Sequence, residues 1–484
     1  MKSSPIQFTP TLLQVVVKIT FTLLQNKHTF TPTLLQRMHR TAYKTLLTWK
    51  NTTPRKPMLL RGARQVGKTT LVRQFSVEFD HFIELNLERK ADHQLFDMDD
   101  VDKIIDAACL ARGIIQDGKP MLVFIDEIQE APKAIKQLRY FYEDRPELYV
   151  IAAGSLLEFA LKKVPSFPVG RVEYLYLYPL NFIEYLQAID QQPAMKAINS
   201  IPLPGYAHTT LINLFHEYAI TGGMPEVVNL YLEARNVSIL TNVYNQLWQA
   251  YKEDVKKYAS NATERKIIRH VIDSAPGETD RIKFEKFGKS NYRSREVGEA
   301  MRTLDMAGII RLVYPTTNVE PPVVTDYKKR PRLQFLDTGL INHILQFQGE
   351  MLALKDLNNL QRGKVIQHLV AQELVSIHDK TAFKLHFWVR EEKESSSEVD
   401  LVYHKGKYII PIEVKSGKQG KLRSLHQFIE RTHHPYAIRM YAGEYGVEKH
   451  TTPGGKSYLL MNLPYYLGTK LPGYIDYFVD QYSL

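Results

Sequence analysis

Residues 58–75 read Met58-Leu-Leu-Arg-Gly-Ala-Arg-Gln-Val-Gly-Lys-Thr-Thr-Leu-Val-Arg-Gln-Phe75, and this segment predicts the core of the N-terminal domain. The apolar run at 58–60 predicts a strand, and the spacing of apolar residues after Thr70 predicts a helix. Between them lies Gly-x-x-x-x-Gly-Lys-Thr. Its glycines let backbone N–H groups surround a phosphate, and the helix start offers unpaired donors to an anion. The pattern predicts a phosphate-binding loop; the alternative is a glycine loop before a basic helix.

The loop side chains have distinct predicted roles. Lys68 is expected to reach the β- and γ-phosphates of a nucleotide, and the Thr69 hydroxyl is expected to bind Mg²⁺. The residues predicted to bind the nucleotide are Gly62, Ala63, Arg64, Gln65, Val66, Gly67, Lys68, Thr69 and Thr70.

A second motif follows the apolar run Met121–Ile125, which has the composition of a central parallel strand buried on both faces. The run ends in Asp126-Glu127. Ligand sites in open α/β sheets lie beyond the carboxyl ends of strands, so we expect both carboxylates beside the phosphate loop. Asp126 is predicted to hold Mg²⁺, directly or through water. Glu127 is predicted to be the base that orients and polarises the attacking water.

Two more apolar runs fit the same sheet. They lie at His81–Asn86 and Leu148–Ala153, and Gly154-Ser155 follows the second. Alternating strands and helices imply right-handed crossovers and a parallel sheet. The predicted fold class is therefore α/β.

Five segments together carry a family resemblance: Arg61–Thr70, Ile125-Asp-Glu-Ile-Gln129, Ala153-Gly-Ser155, Gly170-Arg-Val172 and Tyr178-Pro-Leu-Asn-Phe-Ile-Glu184. From about residue 40 to its end, the chain resembles the AAA-type ATPases of bacteria and archaea that carry a C-terminal domain of unknown function, DUF4143. The resemblance implies ATP and Mg²⁺ as cofactors, and ATP hydrolysis on an ASCE-type P-loop core. It also implies that Ser155 senses the γ-phosphate and that Arg171 is an arginine finger or a sensor arginine. The alternative for Arg171 is a surface arginine in a loop.

Composition narrows the class of protein. A chain of 484 residues is expected to form roughly two to four domains. Its single cysteine, Cys109, excludes an intrachain disulfide and favours a reducing, cytoplasmic setting. The formal charge is +11, but the first 77 residues contain 13 Lys and Arg and no acid, so the remainder is close to neutral. The high charge is therefore weak support for nucleic-acid binding.

Residues 1–37 differ from the rest of the chain, because Phe8-Thr-Pro-Thr-Leu-Leu-Gln14 recurs at 30–36. The apolar run Leu12–Leu24 is too short to span a membrane and lacks a small-residue cleavage site. We expect a dispensable extension, with Met38 as the working start; a targeting segment is the alternative. No membrane association is predicted.

The region from 264 to 340 predicts the order helix, short helix, helix, strand, strand. The expected elements are Lys266–Asp273, Phe284–Phe287, Ser294–Ala307, Ile309–Tyr314 and Arg332–Leu336. That order suggests a winged helix, whose third helix enters the major groove when such a domain binds DNA. Candidates for phosphate contacts around the start of the third helix are Lys283, Lys286, Lys289, Arg293 and Arg295. The alternative is a packing module with a solvated basic face.

A hairpin predicted at 398–415 carries the last candidate site. Glu413 and Lys415 lie two residues apart and so point to the same face of a strand. Together with Asp400 they could hold a divalent metal and orient a hydrolytic water. This pattern resembles the PD-(D/E)XK nuclease core. Relatives commonly have Glu where this chain has Gln367, so a fold kept for binding or regulation is favoured over an active nuclease or ordinary surface charges.

The predicted function is Mg-dependent ATP binding and hydrolysis, in which the nucleotide state drives or regulates the winged-helix and nuclease-like domains. The alternatives are an ATP-controlled DNA nuclease and a slowly hydrolysing DNA- or protein-binding switch. DNA, an unknown protein and further copies of the chain are the candidate partners. The predicted divisions are a leader at 1–37, an ATPase domain at 38–190, a helical connector at 191–260, a winged-helix-like domain at 261–345 and a small α/β domain, similar to restriction endonucleases, at 346–484.

Overall fold

A five-stranded parallel sheet occupies the N-terminal part of the described chain. The computed structural model describes residues 38–484 apart from 156, 160–167, 169, 260, 279, 348–359, 382, 392–395 and 418–421, so the predicted leader at 1–37 lies outside the described residues. The strands are β1 (Met58–Arg61), β2 (His81–Asn86), β3 (Met121–Asp126), β4 (Tyr149–Gly154) and β5 (Glu173–Tyr176). Their order is β2-β3-β4-β1-β5, and every neighbouring pair is parallel. The predicted parallel sheet is confirmed.

Helices cover both faces of this sheet. They are α1 (Ala42–Lys50), α2 (Lys68–Phe75), α3 (Lys90–Leu95), α4 (Val101–Arg112) and α5 (Pro132–Asp144). Trp49 and Phe75, from α1 and α2, belong to the apolar core on one face, and Ile104 and Leu138, from α4 and α5, belong to the core on the other. Because both faces are covered, β3 is buried along its whole length.

A helical region follows the sheet and ends in a two-stranded ribbon. Its elements are α6 (Phe182–Ala188), α7 (Gln192–Ile198), α8 (His208–Thr221), α9 (Pro225–Ala234), α10 (Leu240–Tyr258), α11 (Ala262–Ser274), α12 (Ser294–Met306), β6 (Ile310–Val313) and β7 (Arg332–Phe335). The short helix predicted at Phe284–Phe287 is wrong, and a 3₁₀ turn at Phe287–Lys289 follows that position instead. The backbone has positive φ at Lys286, Gly288 and Lys289, which an α-helix does not allow.

The C-terminal part contains a mixed sheet of six strands. Its elements are α13 (Thr338–Ile344), α14 (Leu360–Ser376), β8 (His386–Glu391), β9 (Ser396–Lys405), β10 (Tyr408–Val414), α15 (Arg423–Ile429), β11 (Tyr436–Tyr441), β12 (Gly446–Thr451), β13 (Ser457–Pro464) and α16 (Leu471–Gln481), with strand order β12-β13-β11-β10-β9-β8. β9 and β10 form the predicted hairpin. Its turn is short, because His404 and Lys405 continue β9 and pair with Ile409 and Tyr408. The fold class is α/β, as predicted.

A buried carboxyl group joins α14 to the helical region. Glu373 accepts hydrogen bonds from the Phe182 N–H at the start of α6 (3.0 Å) and from the Tyr218 hydroxyl on α8 (2.9 Å). Burial raises the pKa of Glu373 to about 8. The C-terminal sheet is therefore fixed to the helical region by polar contacts through α14. Within the described ranges, no helix is both long enough and apolar enough to cross a membrane.

Candidate nucleotide-binding site

The loop between β1 and α2 needs glycine at two positions. Gly62 has a φ of 154°, and a Cβ atom there would lie 2.3 Å from the carbonyl oxygen of Leu177. Gly67 has a φ of 93° at the N-cap of α2. A side chain would clash at the first position and strain the backbone at the second. The chain therefore makes a tight turn that ends at the N-terminus of a helix, where unpaired N–H groups attract anions.

The other loop residues differ in exposure. Ala63 and Val66 are buried, whereas Gln65 and Thr70 are exposed. The buried residues belong to the apolar core formed with α1 and α2. The loop is therefore packed against the sheet on one side and reaches solvent on the other.

Lys68 is buried at the first position of α2. Its Nζ atom donates to the carbonyl oxygens of Gly62 (2.9 Å) and Ala63 (2.8 Å). Burial lowers the pKa of Lys68 to about 8, and the charges of Glu127 and Asp126 oppose that shift. A positive charge is thus held inside the loop, as the sequence predicts.

Asp126 ends β3 and meets the start of α2. The Thr69 hydroxyl donates to Asp126 Oδ2 (2.8 Å), and the Glu127 N–H donates to Asp126 Oδ1 (3.0 Å). Burial raises the pKa of Asp126, while the hydrogen bond from Thr69 opposes the shift. The structure therefore brings together the two side chains predicted to hold Mg²⁺, at hydrogen-bond distance.

Glu127 is held in a sparsely populated backbone conformation. Its φ is 52°, in the left-handed region that a residue with a side chain rarely occupies. Its Oε2 atom accepts a hydrogen bond from the side-chain amide of Gln129 (2.5 Å). Sequence reasoning assigned Gln129 no role, although it lies two residues after Glu127 in the quoted motif.

Ser155 follows β4 and lines a cavity of about 310 Å³ beside the loop. Its Oγ atom is buried and has no hydrogen-bond partner among the residues that the structure describes. Arg61, Gly62 and Ala63 line the same cavity, and Asp305–Gly308 closes it from the helical region. Ser155 therefore lies beside the loop, and its role as a sensor stays a prediction.

Arg171 lies at the end of the sheet where the strands β1 and β5 begin, opposite to the end that carries the phosphate loop. The strand pairing sets Met58, at the start of β1, level with Glu173, at the start of β5, so Arg171 precedes that level. The loop follows the end of β1, about 13 Å further along the strand. Arg171 forms an ion pair with Glu143 at the end of α5. Arg171 therefore lies away from the phosphate loop of its own chain, and its predicted role as a finger or a sensor arginine stays a prediction.

Residues from distant parts of the chain support the loop, and sequence reasoning missed them. Arg40 donates to the Val66 carbonyl oxygen (2.8 Å). The Arg64 Nε atom lies 2.7 Å from Asp254 Oδ2 on α10, and the Tyr251 hydroxyl donates to the Arg64 carbonyl oxygen (3.1 Å). No local motif marks these residues, because only the fold brings them to the loop.

The second predicted site, at the C-terminal hairpin, is also brought together. Asp400 Oδ2 accepts from the Val414 N–H (2.8 Å), and Lys415 donates to Glu413 Oε1 (2.5 Å). The Gln367 amide donates to Asp400 Oδ1 (3.1 Å). In the described part of the chain, no group of three or more His, Cys, Asp or Glu side chains is arranged to hold a metal ion.

The predicted basic cluster surrounds the start of α12. Five side chains there are exposed: Lys283, Lys286, Lys289, Arg293 and Arg295. Arg293 is the N-cap residue of α12, and Glu296 caps the Arg293 N–H (3.0 Å). The cluster therefore forms a solvent-facing basic surface, as the sequence predicts.

The fold and the site define a P-loop protein of the α/β class. Family models match the chain in three places. Residues 54–186 match an AAA domain, residues 212–350 match the domain of unknown function DUF8612, and residues 362–463 match the domain of unknown function DUF4143. The chain thus contains an AAA-type P-loop ATPase domain and a DUF4143 domain, and both predictions are confirmed.

Solved structures match part of the chain, three of them at 13–15% identity. The Walker-type ATPase PABY2304 of Pyrococcus abyssi is 13% identical, with 64% of this chain and 96% of that chain covered and a TM-score of 0.42. The RuvB Holliday junction branch migration motor of Thermotoga maritima is 15% identical, with 56% and 89% covered and a TM-score of 0.26. The ORC1 protein of Aeropyrum pernix in complex with DNA is 14% identical, with 66% and 94% covered and a TM-score of 0.27. No curated protein matches the sequence significantly.

Proposed function

We propose that this chain binds ATP together with Mg²⁺ and hydrolyses it at the carboxyl edge of the parallel sheet. One observation carries the proposal: the end of β3 and the start of α2 bring Asp126, Thr69 and Lys68 to one place, with the Thr69 hydroxyl 2.8 Å from Asp126. An ammonium group, a hydroxyl and a carboxylate are the groups that nucleotide phosphates and their Mg²⁺ ion require.

Different residues would bind the nucleotide and hydrolyse it. Lys68 and the loop N–H groups would hold the phosphates, and Thr69 and Asp126 would hold Mg²⁺. The ion, when bound, neutralises the phosphate charge. Glu127 would accept a hydrogen bond from the attacking water and orient it, and Gln129 would fix the Glu127 carboxylate through their hydrogen bond.

Two further features fit a nucleotide. The turn leaves no room for a Cβ atom at Gly62, as expected where backbone N–H groups form a phosphate cradle. The buried Ser155 Oγ atom, which lacks a partner within the described residues, faces a cavity that also touches the loop. A phosphate oxygen would supply the missing hydrogen-bond partner.

Calorimetric titration of Mg-ATP into the full chain tests the binding step. Wild type is expected to bind one nucleotide per chain, and Lys68→Ala is expected to lose at least tenfold in affinity, because a buried charge that contacts phosphate is removed. Lys136→Ala is the matched control, since Lys136 is exposed on α5. Equal affinity for Mg-ATP in wild type and Lys68→Ala would contradict the assigned site.

We further propose that the nucleotide state regulates the attached domains through the loop. Arg64 contacts Asp254 of α10. Ala63 lies close to Gly308, which stands between α12 and β6: a Cβ atom at Gly308 would be 3.7 Å from the Ala63 Cβ atom. A loop that closes on phosphates would move these contacts. Asp254→Asn is therefore expected to change the affinity for Mg-ATP, whereas the neighbouring, exposed Glu253→Gln is not.

DNA binding is the second candidate function. The exposed basic cluster at the start of α12 favours it, because basic side chains at that helix would lie on backbone phosphates. ATP turnover measured with and without duplex DNA tests this function. Stimulation that is lost in Lys286→Glu and Lys289→Glu supports it. Equal ATP turnover with and without duplex DNA favours a protein partner.

An assembly of several copies is proposed from the AAA domain. Arg171, which lies far from the loop of its own chain, would then act as a finger at the loop of a neighbour. Sedimentation of the full chain with and without nucleotide measures the assembly. Arg171→Ala is expected to lower turnover without lowering the affinity for Mg-ATP, and unchanged turnover of the assembled protein would exclude the finger.

A further inference from the structure

A row of basic residues near the ribbon faces a row of acids on the C-terminal sheet. Arg281 and Lys329 both pair with Glu391 at the end of β8. Arg281 Nε also lies 3.1 Å from Glu398 Oε2 on β9. Arg332, the first residue of β7, pairs with Glu398 as well. The ribbon and the sheet therefore meet through complementary charges.

Arg332 extends further into the C-terminal sheet than the other two basic residues. Its Nη1 atom donates to the Asp400 carbonyl oxygen (3.2 Å), and its Nη2 atom lies 3.8 Å from Asp400 Oδ1. The guanidinium lies over the ring of Phe387, 4.4 Å from the ring centre. Its side chain is only 19% exposed. An arginine stays charged even when buried, so a fixed positive charge stands beside Asp400.

The oxygens that a metal would need already have donors. Asp400 Oδ2 accepts from the Val414 N–H, Asp400 Oδ1 accepts from the Gln367 amide, and Glu413 Oε1 accepts from Lys415. Of the four carboxylate oxygens of Asp400 and Glu413, Glu413 Oε2 is the one that is buried without a partner within the described residues. One free oxygen is far from the near-complete set of oxygen ligands that Mg²⁺ or Ca²⁺ requires.

We infer that the guanidinium of Arg332, with the ammonium of Lys415, takes the place of a divalent cation at the Asp400–Glu413 pair. The pair is then a docking site for the β6–β7 ribbon and not a metal site. Two fixed positive charges repel an incoming Mg²⁺ ion, and Gln367 presents an amide N–H group where a nuclease would present an oxygen. This inference is independent of the proposed ATP site.

Burial does not keep a metal ion away from Asp400. A cavity of about 240 Å³ lies between the ribbon and α14, and Arg332, Gln367 and Asp400 are among its lining residues. A small cation can therefore reach Asp400 from this cavity. Whether it stays there depends on the charges already present.

Equilibrium binding of Mn²⁺ to the full chain without nucleotide tests the inference directly. Electron paramagnetic resonance reports the free ion. Wild type and Asp400→Asn are expected to bind the same amount of Mn²⁺. If wild type holds one Mn²⁺ ion per chain that Asp400→Asn loses, the inference is overturned.

A double-mutant cycle in thermal unfolding tests the role of Arg332. Arg332→Gln removes the guanidinium that lies against the partly buried carboxylates of Asp400 and Glu398, and it is expected to lower the Tm by on the order of 5 °C. Adding Asp400→Asn to Arg332→Gln is expected to cost less than Asp400→Asn costs alone, because the two groups act as a pair. Additive losses would contradict the pairing.

Two more variants serve as controls for the cycle. Arg330→Gln is the matched control, because Arg330 is exposed two residues away, and it is expected to leave the Tm unchanged. Arg332→Lys keeps the positive charge and can be measured if Arg332→Gln does not fold. It is expected to lower the Tm by less than Arg332→Gln does, because an ammonium group cannot form the paired hydrogen bonds of a planar guanidinium. A Tm for Arg332→Lys equal to that of wild type would contradict a guanidinium-specific site.

Discussion

Two sites in the described part of the chain bring a lysine close to two carboxylates, and they differ in which groups the positive charge contacts. At the first, Lys68 donates to backbone carbonyl oxygens, and neutral groups donate to Asp126 and Glu127. At the second, Lys415 and Arg332 lie directly against the acids. The first pair is open to a cation that arrives with a nucleotide, whereas the second already has one.

The comparison shows that residue types at a strand end do not define a metal site. The contacts of the carboxylate oxygens decide it. A hydroxyl or an amide leaves the negative charge of a carboxylate in place, and an ion pair neutralises it. Matched variants at the two sites should therefore differ in their effect on ATP turnover and on the requirement for Mg²⁺.

The glutamates of the two sites should differ most in turnover. Glu127→Gln is expected to lower kcat by roughly 10²–10⁴-fold while ATP still binds, because an amide cannot act as the base. Glu413→Gln should leave kcat unchanged. Phosphate release at saturating Mg-ATP measures both. Normal turnover by Glu127→Gln would show that Glu127 is not the base.

The aspartates should differ in their effect on Mg²⁺. Asp126→Asn is expected to raise the Mg²⁺ concentration for half-maximal turnover by about 10–100-fold, since the group predicted to hold the ion loses its charge. Asp400→Asn should leave that concentration at the wild-type value. A titration of turnover with Mg²⁺ at fixed ATP compares the variants. Equal shifts in both would mean that the two sites are coupled.

Lys68 gives the first site a pH dependence. Because the pKa of Lys68 is lowered to about 8, its charge is present below pH 8 and is lost as the pH rises. The affinity for ATP should therefore fall by about tenfold between pH 7 and pH 9. Over pH 8 to 10.5 the unfolded chain binds more protons, so the contribution of Lys68 to stability should rise.

Calorimetric titrations across this pH range, with thermal unfolding of the nucleotide-free chain, measure both trends. Opposite directions in affinity and stability are expected. A constant affinity for ATP up to pH 9 would show that the charge of Lys68 does not contribute to ATP binding in this range.

Gln129 should give the smallest effect. Gln129→Ala removes one hydrogen bond to Glu127 and is expected to lower kcat by on the order of fivefold, from a net contribution of about 1 kcal/mol. The KM for ATP should not change, because Gln129 orients the base and does not hold the phosphates. Gln116→Ala, at an exposed position before β3, is the control. A change in KM alone would contradict the positioning role.

The first site could be predicted from sequence because its information is local. The glycines and Lys68 lie in one loop, and Asp126 and Glu127 follow one apolar strand, so strand and helix patterns place them at the same edge. The strand at 81–86 was predicted to its end residues for the same reason.

The second site could not be predicted fully because its cation comes from far along the chain. Arg332 stands 68 residues before Asp400 and carries no motif. Arg40 and Asp254 reach the phosphate loop in the same way. The position of Arg171 at the opposite sheet edge depends on the pairing of β5 with β1, which residue types alone do not fix.

Phosphate release from Mg-ATP by the purified full chain shows whether the loop between β1 and α2 belongs to an ATPase site. We expect turnover that requires Mg²⁺, stops with a chelator and is lost in Lys68→Ala, with Lys136→Ala as active as wild type. Turnover that persists in Lys68→Ala, or no turnover by wild type with or without duplex DNA, would contradict it.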